Sequence, residues 1–210
     1  MRATSLFFGF VLLVALIPAA RAEFSAEEWE VLKTGEAVAS ETFAAKPDGA
    51  PTTDVLVKIW IKAPREKVWA TIRDYDRFGE FMPRVQRCRV VKSDGETFWI
   101  CYETEVLGIK VIYYMKAVGV DKFRRIEFNL AEDMTNDIKG ARGYWALDDA
   151  PDRKGTVLSY SAFIDTGIPM PESLARRISK PNMIQAVKNV KQRVESGNSW
   201  KKGEEAPIAP

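Results

Sequence analysis

The sequence predicts an α+β domain: a curved antiparallel sheet wrapped around one long C-terminal helix. Three observations carry this. The strand patterns are grouped along the chain instead of alternating with helices. Three successive turn signals keep one face of a meander apolar and the other mostly charged. After Gly167 the apolar spacing changes from that of strands to that of a helix, with Ile184, Val187, Val190 and Val194 on one side.

The chain opens with Arg2, an apolar run from Leu6 to Ile17, then Pro18 and Ala20-Arg21-Ala22. A basic start, a hydrophobic segment and an A-x-A site are the pattern of a signal peptide. The run is shorter than the roughly 20 residues of a spanning helix. The expectation is therefore a leader over residues 1–22, cut after Ala22, and a product that is periplasmic or secreted. An uncleaved anchor is the other reading. Of the 31 Lys and Arg residues, Arg2 and Arg21 fall in the leader, which leaves 29 basic against 29 acidic residues. A formally neutral body without a long basic run argues against nucleic acid as a partner.

The body spans 23–197. Ser25-Ala-Glu-Glu28 is a capping box that opens a short helix through Leu32. Glu36 to Phe43 reads as a strand, and Pro47, Gly49 and Pro51 break the chain after it. Asp54 to Lys62 alternates Val55, Val57, Ile59 and Ile61, a strand with one buried face. Pro64 suits the first turn of a helix, whose apolar side is Val68, Trp69 and Ile72. Strands continue to about residue 131, and two more follow over Asp137–Asp148 and Thr156–Thr166. Pro171 starts a helical segment and Pro181 restarts it. Residues 198–210 read as a disordered tail.

The meander can be registered from its turns. Asp94-Gly95 is a two-residue hairpin signal. With these as the loop, Cys88 faces Cys101 in a non-hydrogen-bonded pair, where Cα atoms approach to about 4.5 Å. In an oxidising compartment this predicts a Cys88–Cys101 disulfide; two free thiols in the sheet are the alternative. Leu107-Gly108 joins the next hairpin and places Tyr102 opposite Tyr113. Asp121-Lys122 joins the third and places Met115 opposite Phe128. One face then carries Phe98, Ile100, Tyr102 and Thr104, followed by Val111, Tyr113 and Met115, with Ile126 and Phe128 from the third strand. Glu103, Glu105, Lys110, Lys116, Arg125 and Glu127 fall on the other.

The chain has no histidine and two cysteines. Ser-His-Asp and Cys-His nucleophile arrangements are excluded, and the residues offer no metal cage. No cofactor motif is present. The body is read as a monomer.

Ile61-Lys-Ala-Pro64 through Phe81-Met-Pro83 resembles the opening signature of START-like, helix-grip lipid-binding domains. Leu158-Ser-Tyr160 through Asp165-Thr-Gly167-Ile-Pro169-Met-Pro171 resembles the family's strand leading into the closing helix, and favours the START branch over its polyketide cyclase and coenzyme Q-binding relatives. Gly140-Ala-Arg142-Gly-Tyr-Trp145 is similar to the strand before it. The resemblance covers about Trp29 to Val194. One departure is Lys110-Val-Ile-Tyr-Tyr-Met-Lys116, which stands where many START proteins carry an Arg-Asp pair.

The resemblance implies binding, and often transfer, of a lipid, sterol or similar apolar molecule in an internal cavity, with transient contact with a membrane. The apolar face of the meander then becomes the ligand-binding wall. Tyr102, Tyr113 and Thr104 are its polar handles, and Met170, Leu174 and Ile178 face it from the closing helices. A cyclase-type enzyme acting in the same cavity, and an interaction module with a filled core, are the other readings. The absence of a nucleophile motif favours a binder, so no catalytic residue is assigned. Arg142 and Asp165 lie on strands whose register the preceding loops leave open.

Overall fold

The computed structural model describes residues 24–45, 51–106, 108–167 and 172–204. The side chains of 42–45, 51–53, 106 and 172–176 lie outside the description. The chain runs α1 (Ala26–Leu32), β1 (Val38–Ala45), β2 (Pro51–Ile61), α2 (Arg65–Arg73), a 3-10 turn (Tyr75–Arg77) and α3 (Phe78–Phe81). There follow β3 (Val85–Asp94), β4 (Thr97–Val106), β5 (Ile109–Asp121), β6 (Arg125–Leu130), β7 (Gly140–Asp149), β8 (Thr156–Asp165) and α4 (Glu172–Glu195).

The eight strands form one curved, unclosed antiparallel sheet in the order β1-β2-β8-β7-β6-β5-β4-β3. The predicted α+β class with a long C-terminal helix is what the chain adopts. The sheet's inner face receives α4: Met183, Ala186, Val187, Val190 and Val194 join Val55, Val57, Ile59 and Ile61 of β2 in the main core. The helix is continuous through Pro181, where the sequence suggests a restart. On the outer face α1 is seated by Leu32, which packs with Val157 and Ala150. Its capping box forms as read: Ser25 Oγ accepts from Glu28 N–H, and Glu28 accepts from Ser25 N–H. Glu28 also binds Lys58 at 3.0 Å.

The β4–β5 ladder has the predicted register, with Tyr102 opposite Tyr113 and Thr104 opposite Val111. The β5–β6 ladder is displaced by two residues, so that Ala117 faces Phe128. An even displacement keeps every side chain on its face.

The β3–β4 hairpin differs in a way that matters. Asp94 pairs with Thr97, so Gly95 and Glu96 form the loop. Gly95 takes φ +56°, the positive value that a type II′ turn requires at its first central position. A bulge between Val90 and Lys92 then shifts the ladder by one. Cys88 consequently faces Tyr102, and Cys101 faces Arg89. The predicted Cys88–Cys101 disulfide is therefore not formed. Both are free, buried thiols, Cys88 in the inner core and Cys101 on the outer face beside Tyr114.

The start of the predicted disordered tail is also corrected. Residues 198–204 sit on the body, with Trp200 buried in the main core. Arg193, only 2% exposed, donates to the Trp200 carbonyl at 2.7 Å and to Glu80 at 2.8 Å. Residues 205–210, and the leader 1–22, lie outside the described residues.

Candidate functional site

Between the inner face of the sheet, α4 and the α3–β3 connection lies a cavity of about 150 Å³. Its wall is laid down strand by strand. β4 contributes Ile100, Tyr102 and Thr104, β5 contributes Val111, Tyr113 and Met115, and β6 contributes Phe128. These are seven of the residues that the alternation placed on the apolar face. Two others share that face without reaching the cavity. Phe98 packs on Tyr75 at 5.6 Å, under the Arg73 guanidinium. Ile126 lies opposite Trp145 within the core. Ile178 is half-buried on α4, and the helix meets the cavity one turn later through Asn182 and Ala186. Met170 and the Leu174 side chain lie outside the described residues.

The rest of the wall comes from segments that sequence reasoning did not reach. The crossover from β2 to β3 supplies Tyr75, Phe78, Met82 and Val85. β7 and β8 supply Ala141, Trp145, Tyr160 and Ala162. Trp145 and Tyr160 stack at 3.8 Å with 13° between planes, and Tyr102 and Tyr113 at 5.3 Å with 3°. The signal was the alternation Ala141, Gly143, Trp145, Leu147 and Leu158, Tyr160, Ala162. Without a tight turn to set its register, that alternation could not be aimed.

The cavity is apolar with phenols at intervals. Burial pushes Tyr75, Tyr102, Tyr113 and Tyr160 above the usual phenol range, so all four keep their protons and act as donors. Tyr102 has a partner, since its hydroxyl lies within reach of the Cys88 thiol. Burial, reinforced by Asp76, pushes that thiol up in turn, which keeps it protonated and unreactive. Thr104 donates to the Val111 carbonyl at 3.4 Å.

Among the described lining residues, charge is confined to the rim. Arg84 and Glu105 line the mouth and are both exposed, and Glu105 N–H donates to the Arg84 carbonyl. Arg84 has φ +60°, uncommon for a residue with a Cβ. The rim is held in this shape by Lys202, which donates to the carbonyls of Met82 at 3.2 Å and Val85 at 2.6 Å. Arg142 lies on the outer face and pairs with Asp54 at 2.6 Å, its guanidinium over Phe163. Asp165 accepts from Gly167 N–H at the end of β8.

A family model described as polyketide cyclase / dehydrase and lipid transport matches residues 61–191. No curated protein matches the chain. Several solved structures share the fold. A START superfamily protein from Mycobacterium smegmatis is 12% identical over 68% of this chain and 97% of its own, with a TM-score of 0.60. A STAR-related lipid transfer protein fragment from Xanthomonas axonopodis is 16% identical over 74% and 98%, with a TM-score of 0.58. The Zhui aromatase/cyclase from Streptomyces sp. R1128 is 15% identical over 68% and 93%, also at 0.58. At these identities the likeness establishes the START-like, helix-grip fold alone. With well over half its length matched by the family model, the chain belongs to the polyketide cyclase / dehydrase and lipid transport family.

Proposed function

We propose that this protein is an exported carrier that binds a hydrophobic small molecule in the cavity beneath α4. Family and fold support hydrophobic-ligand binding or a cyclase-type reaction. One observation favours binding. Among the described residues, the wall inside the rim consists of apolar side chains, protonated phenols, the Thr104 and Thr166 hydroxyls and the Asn182 amide, with no carboxylate, amine or imidazole. Acid–base work on a carbonyl substrate needs a base within hydrogen-bond reach of the reacting proton. The acidic residue among the described lining, Glu105, is exposed at its mouth. Polar groups placed in this way in an apolar wall serve to orient a ligand. Export rests on the leader-like residues 1–22, and contact with a membrane would deliver the cargo.

The test is extraction of the full chain, purified from the compartment where it accumulates, followed by mass spectrometry of the organic phase. A stoichiometric hydrophobic compound is expected. Ala162→Phe, which puts a ring into the cavity, should reduce it several-fold while leaving the far-UV spectrum unchanged. An empty extract, together with equal binding of an apolar fluorescent dye by parent and variant, would refute the carrier. A compound chemically altered on incubation would instead favour the cyclase.

A further inference from the structure

Two phenols of the cavity wall have no protein partner. Tyr113 on β5 and Tyr160 on β8 both line the cavity, and neither hydroxyl hydrogen-bonds to another described residue. Nor is either oxygen sealed in protein: among the described residues the sealed side-chain polar atoms without a partner belong to Asp54, Trp60 and Ser159. The two hydroxyls therefore open into the cavity. Phe128 links them, packing with Tyr113 and lying 6.3 Å from the Tyr160 ring. Tyr102 differs, because its hydroxyl has the Cys88 thiol.

A buried phenol ordinarily finds a partner. What these two lack is an acceptor. The strand carbonyls around them serve the ladders, and Thr104 already spends its proton on Val111. A carbonyl oxygen, which brings two lone pairs and no proton of its own to satisfy, meets both donors at once. Size and shape narrow it further. A cavity of about 150 Å³ matches one that holds a single benzene-sized ring, and is below the roughly 300–1,000 Å³ of drug-sized ligands. The two parallel stacks, Tyr102 on Tyr113 and Trp145 on Tyr160, give it flat walls.

We propose that Tyr113 and Tyr160 set the cavity's specificity by donating hydrogen bonds to the carbonyl of a compact, flat ketone, ester or quinone. This rests on the cavity being a hydrophobic-ligand site and assigns the ligand's chemistry there.

The experiment is calorimetric titration with 1-indanone and with indane, which share a ring skeleton and differ in the carbonyl. The parent should bind the ketone about tenfold or more tightly than the hydrocarbon, as one to two net hydrogen bonds allow. Tyr113→Phe and Tyr160→Phe should each narrow the ratio. The double variant should bring it near unity, with the ketone bound more weakly and indane bound at least as tightly as by the parent, which separates a lost hydrogen bond from a damaged cavity. Equal affinity of the parent for both compounds overturns the proposal and leaves the carrier standing. So does a ratio that survives in the double variant. Failure of both compounds and of an apolar dye to bind sinks the carrier, and this assignment with it.

Discussion

The Phe128 ring lies over Gly143, its neighbour across the β6–β7 ladder. A methyl group at Gly143 would stand 2.6 Å from Phe128 Cζ and press on the Ser161 carbonyl oxygen. Phe128 is a wall of the cavity, so the missing side chain at 143 shapes the site from beneath. Gly143→Ala should destabilise the fold by an amount at the upper end of ~1–3 kcal/mol, read as a lowered urea midpoint. Gly119→Ala is the control. Its methyl would meet the movable end of Glu96 at 3.0 Å and Trp69 at 3.4 Å, and its cost should be under ~1 kcal/mol. Equal effects would show that Phe128 is free to move away.

The segment after α4 works as part of the core. Replacing Trp200 with Ala should cost about 3–5 kcal/mol, the range for emptying a buried indole site. Ending the chain at Gly197 should cost at least as much, since it also strips Arg193 of the Trp200 carbonyl. Urea denaturation of both variants decides this, and unchanged midpoints would mean that the segment is ornamental.

Lys202 offers a finer cut. Lys202→Met removes the two hydrogen bonds that hold the rim carbonyls of Met82 and Val85. Stability should fall by about 1–2 kcal/mol, while stopped-flow release of a bound apolar dye should become faster. A slower or unchanged release rate would separate the rim loop from ligand exchange.

Alkaline pH should unfold the protein through its phenols. Tyr75, Tyr113 and Tyr160 are held above the ordinary value of 10.0 by burial. A group raised in the folded state contributes stability that is complete below its unfolded pKa and declines as pH climbs past it. Stability should thus be steady up to about pH 10 and then fall. Tyrosinate absorbance at 295 nm and far-UV circular dichroism, followed together, should change in one step. Ionisation of all six tyrosines near pH 10 with the fold intact would contradict the buried wall.

The two thiols should resist alkylation in the native state and both react in denaturant. Each is buried, and the Cys88 proton is held tightly. Intact mass without reductant should show two sulfhydryls. A mass lower by two hydrogens would restore the cross-strand bond and move the bulge.

The β4–β5 register was readable because Leu107-Gly108 is a short turn between two strongly alternating strands, and Tyr102 opposite Tyr113 followed from it. Near Asp94-Gly95 the same counting failed twice. The loop lies one residue later than read, with Gly95 at its first central position, where positive φ is needed, and the Val91 bulge added a residue that no composition signal marks. At β5–β6 the turn spans Lys122 to Arg124, with Phe123 at φ +62°, yet the face survived because the slip was even. Tyr160 and Trp145 escaped because the stretches leading to β7 and β8 are too long to fix a register. Trp200 escaped because it follows a helix stop among polar residues, where its burial depends on Arg193 and Glu80, far apart in sequence.

The bulge at Val91 has a consequence for the two thiols. By turning Cys88 inward and leaving Cys101 outward, it puts the thickness of the sheet between two sulfur atoms. In the folded chain, oxidants and reductants therefore find no bond between these two sulfurs to make or break. The same separation gives the two thiols different surroundings. Cys88 stands opposite Tyr102 of the cavity wall, while Cys101 stands on the far side of that wall.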